Sequence, residues 1–276
     1  MTDQRMLHGQ WSSRLAFILA ASGSAIGLGN IWKFPYLLGE HGGGAFVLIY
    51  LLCVLGIGLP IMMAETMMGR RGRQSPINTM ATLADEAHAN HAWRYVGWLG
   101  VLAGFLILSY YSVIAGWSMA YTFKMGGGFL DNISSEAAKR TFEELKSSPD
   151  TQLVWHTAFM TATAIIVSKG VNQGLERIMM PGLLLMLFAL DFYAFGSGGF
   201  GEGMEFLFKP DFSRLTAESV LVAMGQAFFS LGLGMGSIMV YGSYLPDHVS
   251  IARSTVFVAF MDTLVALMAG VAIFPI

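Results

Sequence analysis

The sequence predicts an all-α, polytopic membrane helix bundle. Of its 276 residues, 54% are hydrophobic and only 12% charged, far from the roughly one-quarter charged composition of a soluble domain. Seven stretches meet or approach the about 20 apolar residues that a membrane-crossing helix needs, near 14–38, 44–66, 95–123, 153–169, 175–196, 217–243 and 252–276. Two of them, the first and the sixth, are interrupted by glycine-rich segments at corresponding places. The 16 basic and 18 acidic residues nearly cancel, which leaves no cationic field to recruit nucleic acid. The one cysteine, Cys53, lies in an apolar run, so neither a disulfide framework nor a cysteine-built metal site is expected.

Taken in order, residues 1–10 are polar and lack the basic start and cleavage site of a signal peptide, so the first span is expected to remain in the mature protein. That span contains Gly23-Ser-Ala-Ile-Gly-Leu-Gly-Asn-Ile-Trp-Lys-Phe-Pro35. Glycine costs about 1 kcal/mol and proline about 3 kcal/mol in a helix interior, so the helix should break there. The third span is followed on the far side by a loop, 124–150, whose Asp131, Glu136, Glu143, Glu144 and Asp150 outnumber its basic residues. It reads as solvated loop or short helix. The fourth and fifth spans are followed by a glycine-rich turn at Gly198 to Gly201, expected as loop. The sixth carries Phe228-Phe-Ser-Leu-Gly-Leu-Gly-Met-Gly-Ser-Ile238, and the seventh carries an acid, Asp262.

Arg5, Arg70, Arg71, Arg73, Lys169, Arg177 and Arg253 fall at one common end of the spans. The positive-inside rule makes that end cytoplasmic, which gives a multi-pass protein of the cell (inner) membrane with a cytoplasmic N-terminus. The apolar Ala272-Ile-Phe-Pro-Ile276 has no polar anchor after it, so the chain is expected to be part of something longer.

Gly27-Leu-Gly-Asn-Ile31 and Gly234-Met-Gly-Ser-Ile238 share glycine, an apolar residue, glycine, a small polar residue and isoleucine, five helices apart. Paired broken helices at that offset are the sequence sign of a transporter built from inverted repeats, whose half-helix ends meet near the midplane. The expectation is a single transmembrane domain over 1–276, with a five-helix first repeat at about 11–197 and a second, at about 215–276, truncated after seven spans. The competing reading is packing alone: Gly23 and Gly27 form a GxxxG that lets two helices approach. A dinucleotide loop does not fit, because neither run lies between a strand and a helix.

These residues resemble the neurotransmitter:sodium symporter family. The resemblance rests on Trp11-Ser-Ser-Arg14, Gly23 to Tyr36, Gly42-Gly-Gly-Ala-Phe46, Gly58-Leu-Pro60, Glu65 with Gly69-Arg70, Tyr110-Tyr111, and Gln226 to Gly236. It implies a sodium-coupled amino-acid symporter of the bacterial type, not an enzyme, with an amino acid, sodium ions and the lipid bilayer as partners. The oligomeric state stays open. By position, the family pattern implies that amides around Leu28 and Gly29 and the Tyr111 hydroxyl hold the substrate carboxylate, while carbonyls of Ala25, Phe229 and Ser230 take its ammonium group. A first sodium is implied at Ala25, Asn30, Ser230 and Asp262, and a second at carbonyls of Gly23 and Ile26, with its remaining ligands on an eighth span. Lys33, Tyr111 and Phe229 match the outer gate; at the inner end His8, with Arg5 three residues behind it, stands where the family has a basic residue, which leaves the inner gate open. Read without the family, Tyr111 is a core aromatic, Asn30 a cap for a half-helix, and Ser230 a hydroxyl bonded back to its own helix.

Asp262 departs from the pattern, which has asparagine there. An intramembrane carboxylate is expensive and points to function; it is read here as the one ionisable group set beside the breaks. Chloride-dependent members hold an anion near residues matching Tyr50, Gln226, Ser230 and this position. At about 5 Å and an effective dielectric of about 20, a carboxylate there favours sodium by roughly 3 kcal/mol, so chloride-independent transport is expected. The alternative is a protonated, hydrogen-bonded aspartate. Lys33 replaces an arginine and cannot make its bidentate fork, which predicts a looser gate. Gly232, Met235, Ile107 and Phe229 shape a pocket for a large hydrophobic or aromatic amino acid, methionine being adaptable in shape. Two rival functions are an intramembrane aspartyl protease using Asp191 and Asp262, whose places along their spans argue against a meeting, and a passive channel.

Overall fold

Glycine and proline cut the apolar runs where helix formation is most costly. The structure is a computed structural model that describes residues 14–129, 133–168 and 173–275. The first span is two helices, α1 (Arg14–Ala25) and α2 (Phe34–Glu40), separated by non-helical backbone at Ile26 and Gly27 and a π-helical turn, Gly29–Lys33. Pro35 falls in the first turn of α2, where its missing amide costs least. The second span runs through α3 (Gly44–Cys53), a π-helical turn at Val54–Gly58, and α4 (Leu59–Gly72). Helix α5 (Pro76–Glu86) follows, its N-terminus capped by the Ser75 hydroxyl, which accepts from the Asn78 amide.

The third, fourth and fifth expected spans are α6 (Arg94–Gly126), α8 (Pro149–Ser168) and α9 (Gln173–Phe195), with α7 (Ser135–Ser147) in the loop before α8. Helix α10 (Phe200–Phe208) includes Gly201, which the sequence places in a loop. The sixth span is α11 (Ala217–Ser230) and α12 (Ser237–Ser243), and the seventh is α13 (Ile251–Ile273). By length and composition, Gly44–Gly72, His91–Gly126 and Ile251–Ile273 can each cross a membrane, and Pro181–Phe195 with Phe200–Phe208 forms a further candidate bent by 117°. The first and sixth spans are too broken to qualify as single helices. The fourth carries His156, Thr157, Thr161 and Thr163.

The chain divides into two compact units, residues 1–102 with 174–276, and residues 103–173. The core of the first unit packs Phe17, Phe34, Phe46, Met62, Leu231 and Val258, so α1, α2, α3, α4, α13 and the sixth break share one apolar centre. In the second unit α6 lies against α8: a Cβ at Gly116 would stand 2.9 Å from the His156 amide nitrogen, and the Trp117 indole donates to Gln152 Oε1 at 3.3 Å. Trp11, Ser12 and Ser13 of the family pattern, the Arg5 and His8 positions, and Lys169 lie outside the described residues, as do the side chains of Arg14 and Arg177.

Candidate functional site

The two breaks differ in chemistry. In the first, the Asn30 and Ile31 amides both donate to the Gly27 carbonyl, at 3.1 and 3.2 Å, closing a tight turn before the π-helical residues. In the second, Gly232, Gly234 and Gly236 alternate through left-handed backbone at φ of +67°, +78° and +75°. Any other residue would pay about 1–2 kcal/mol at each. The Ser237 hydroxyl donates to the Gly232 carbonyl at 2.9 Å and closes this turn.

One buried polar network joins α11, α13 and the first break. Asp262, Ser230 and Asn30 are each at most 1% exposed. Ser230 Oγ donates to Asp262 Oδ2 at 2.7 Å and lies 3.0 Å from Oδ1. Asn30 Nδ2 donates to Asp262 Oδ1 at 2.8 Å and to its carbonyl at 3.0 Å, and lies 3.1 Å from Ser230 Oγ. The Tyr50 hydroxyl approaches Oδ2 at 3.4 Å. Asn30 Nδ2 can only donate to this carboxylate, and the Ser230 and Tyr50 hydroxyls are placed to donate to it as well. None of those partners is a cation, and Asp262 takes part in none of the described ion pairs. A buried charge is tolerated when it is paired or holds a metal ion, and hard cations take oxygen ligands of this kind.

Asn30 does two jobs at once. Its Oδ1 accepts from the Gly27 amide at 3.1 Å, a local cap of the broken segment, while its amide nitrogen reaches α11 and α13. Ser230 is turned outward to Asp262 rather than back onto α11. Gln226 Nε2 donates to the Gly29 carbonyl at 2.9 Å, and its buried Oε1 has no protein partner among the described residues. Gln226 thereby ties the start of the π-helical turn to α11.

Of the remaining expected site residues, Ala25 ends α1 half-buried, Gly23 is exposed, and Ile26 is buried against Leu187, Val265 and Met268. Leu28, Met235 and Phe229 are half-buried, and Gly29 is buried so close to Phe229 that a Cβ there would meet the ring at 3.0 Å. Lys33 Nζ stands 4.2 Å from the centroid of the Phe229 ring, a cation–π contact. The sequence gives no sign of that pairing. Ile107 and Tyr111, both half-buried on α6, belong to the second unit. Asp191, on α9, has a buried Oδ1 with no described partner, and no described bond links it to Asp262.

The expectation that Asp262 alone stands beside the breaks is incomplete. Glu65, on α4 and 7% exposed, accepts from the Gly234 amide at 2.8 Å. A carboxylate inside the apolar run Ile61-Met-Met-Ala-Glu65 was the available signal. Glu65→Ala leaves that amide unpaired, a loss of about 1–3 kcal/mol, and is expected to lower the thermal unfolding midpoint of the purified protein. Glu65→Gln keeps an acceptor and should lose less.

The sequence profile of the Sodium:neurotransmitter symporter family matches residues 8–152 and 146–276. The chain belongs to that family. It is a family of sodium-coupled transporters, not of enzymes. Among its relatives, the Uncharacterized sodium-dependent transporter YhdH of Bacillus subtilis is 42% identical, covering 100% of this chain and 60% of its own length. The Sodium-dependent neutral amino acid transporter B(0)AT2 of Bos taurus is 28% identical over 96% of this chain and 40% of its own. The crystal structure of MhsT in complex with L-phenylalanine superposes with a TM-score of 0.88 at 46% identity, over 97% of this chain and 61% of MhsT. The chain thus spans 60% and 61% of the length of two of these relatives.

Proposed function

We propose that the complete protein is a chloride-independent, sodium-coupled symporter of large hydrophobic or aromatic amino acids. One observation carries the reading: Asp262 is a buried carboxylate held by Asn30, Ser230 and Tyr50, with no cationic side chain among its described partners. A sodium ion, as co-transported cargo, supplies the missing charge. The first ion takes Ala25, Asn30, Ser230 and Asp262; the second takes carbonyls at Gly23 and Ile26. The substrate is assigned to Ala25, Leu28, Gly29, Phe229, Ser230, Gly232 and Met235, and on the family pattern alone to Ile107 and Tyr111, with Lys33, Tyr111 and Phe229 as the outer gate. Domain organisation follows as an inverted repeat, about 11–197 and about 215–276, in the inner membrane with the arginine-bearing end in the cytoplasm.

Two neighbours support the substrate class. MhsT, 46% identical, was crystallised with L-phenylalanine, and B(0)AT2 is named for neutral amino acids. Proteoliposomes containing the complete protein are expected to accumulate tritiated phenylalanine against its gradient when sodium is high outside. Unlabelled tryptophan, tyrosine and leucine should compete and glycine should not. Equilibration without accumulation would mean a channel, and glycine as the best competitor would sink the substrate reading.

A further inference from the structure

At the end of the first unit that bears Arg70, Arg71 and Arg73, Arg70 of α4 and Arg73, which closes that helix, reach the turn between α12 and α13. Arg70 Nη1 donates to the Val249 carbonyl at 2.8 Å. Arg73 Nη1 donates to the Ser243 carbonyl at 3.1 Å, and its Nη2 to Asp247 Oδ1 at 2.7 Å. Both ends of the turn, 243 and 249, are therefore bonded to one helix. Arg73 itself has φ of +54° and closes α4 by donating its amide to the Gly69 carbonyl at 2.9 Å. Glycine is the usual residue at such a left-handed helix end, and an arginine there carries backbone strain. The side chain explains why the strain is worth holding: the Arg73 side chain is only 14% exposed and committed to two partners. Asp247 is 88% exposed, so the ion pair is the weak member of the set, and the two carbonyl bonds are the firm ones.

The same face of α4 holds α12 along its length. Gly69 and Gly242 bring the two backbones together, with a Cβ at Gly242 falling 2.6 Å from the Thr66 carbonyl oxygen, and Glu65 holds Gly234 before α12 begins. We propose that Arg70 and Arg73 are positioning residues, a clamp that makes α4, α12 and the start of α13 one moving body in the transport cycle. Neither guanidinium is among the groups around Asp262 or the breaks. The clamp therefore acts on the rate of conformational exchange and leaves ion binding alone. This rests on the reading of the protein as a sodium-coupled symporter.

Arg73→Gly separates the clamp from folding, because glycine adopts φ of +54° without strain. In the complete protein in proteoliposomes, equilibrium binding of radioactive sodium should stay within about twofold of the parent while the initial rate of phenylalanine uptake at saturating sodium falls at least about fivefold. Arg73→Lys, which keeps the charge but loses the planar fork, should fall between. A second measurement needs no transport: spin labels at Arg71→Cys and His248→Cys, in the complete protein with Cys53 and every other native cysteine replaced, should show a narrow distance distribution that broadens when Arg73→Gly is added. An unchanged rate, a distribution that does not broaden, or binding and rate that fall together would overturn the clamp. A parent protein with no sodium-driven uptake would instead overturn the transport reading, and the spin-label result tells the two failures apart.

Discussion

Asp262→Asn is expected to convert uptake from chloride-independent to chloride-dependent. The substitution keeps the size of the side chain and an acceptor for Asn30 and Ser230, but removes the only charge in the network. With roughly 3 kcal/mol of sodium attraction lost, apparent sodium affinity in chloride-free medium should fall by up to about a hundredfold. Added chloride should recover much of it, because the Tyr50 and Ser230 hydroxyls, Asn30 Nδ2 and the new amide leave donors around the vacated charge. Initial rates of phenylalanine uptake at graded sodium, in chloride and in gluconate, give the result directly. A variant as chloride-independent as its parent would show that Asp262 is not the counter-charge.

Gly69→Ala should prevent the first unit from folding as it does now. A Cβ at Gly69 would stand 1.9 Å from the Met239 carbonyl oxygen and 2.8 Å from its carbonyl carbon. Both atoms are backbone in α12, so no rotamer change relieves the overlap, and α12 must move off α4. Overpacking of a core ordinarily costs about 1–3 kcal/mol and more where nothing can give; contact between helices in lipid depends on small residues for the same reason. The expected outcome is loss of most of the monodisperse protein on solubilisation, read by size-exclusion chromatography. Gly225→Ala is the matched control. A Cβ at Gly225, in α11, meets nothing within 4 Å, and alanine gains about 1 kcal/mol of helix propensity, so that variant should be as stable as the parent or more so.

What the sequence disclosed and what it hid divide along physical lines. The sixth span, read as 217–243 with its break at glycines, is α11 and α12 with left-handed turns at Gly232, Gly234 and Gly236, because glycine and proline act locally and leave a local mark. Asp262 stood out for the same reason, as an acid in an apolar run. The π-helical turn at Gly29–Lys33 left no comparable mark: it forms where α2 is set at its proline and Gln226 draws on the Gly29 carbonyl from α11. Glu65 reads from sequence only as part of a motif, since its role depends on an amide 169 positions away. The contact of Gly69 with Met239, the stacking of Lys33 on Phe229, and the reach of Arg70 and Arg73 to the α12–α13 turn are likewise tertiary. Side-chain spacing within a span carries no record of them.

Asp262 is the centre of the proposal, in which a fixed negative charge does for sodium what a bound anion would otherwise have to do. The direct measurement is uptake of tritiated phenylalanine by proteoliposomes holding the complete, unsubstituted protein, driven by sodium gluconate with chloride removed from both sides. Accumulation equal to that in sodium chloride is the predicted result. Uptake that disappears with chloride would contradict it.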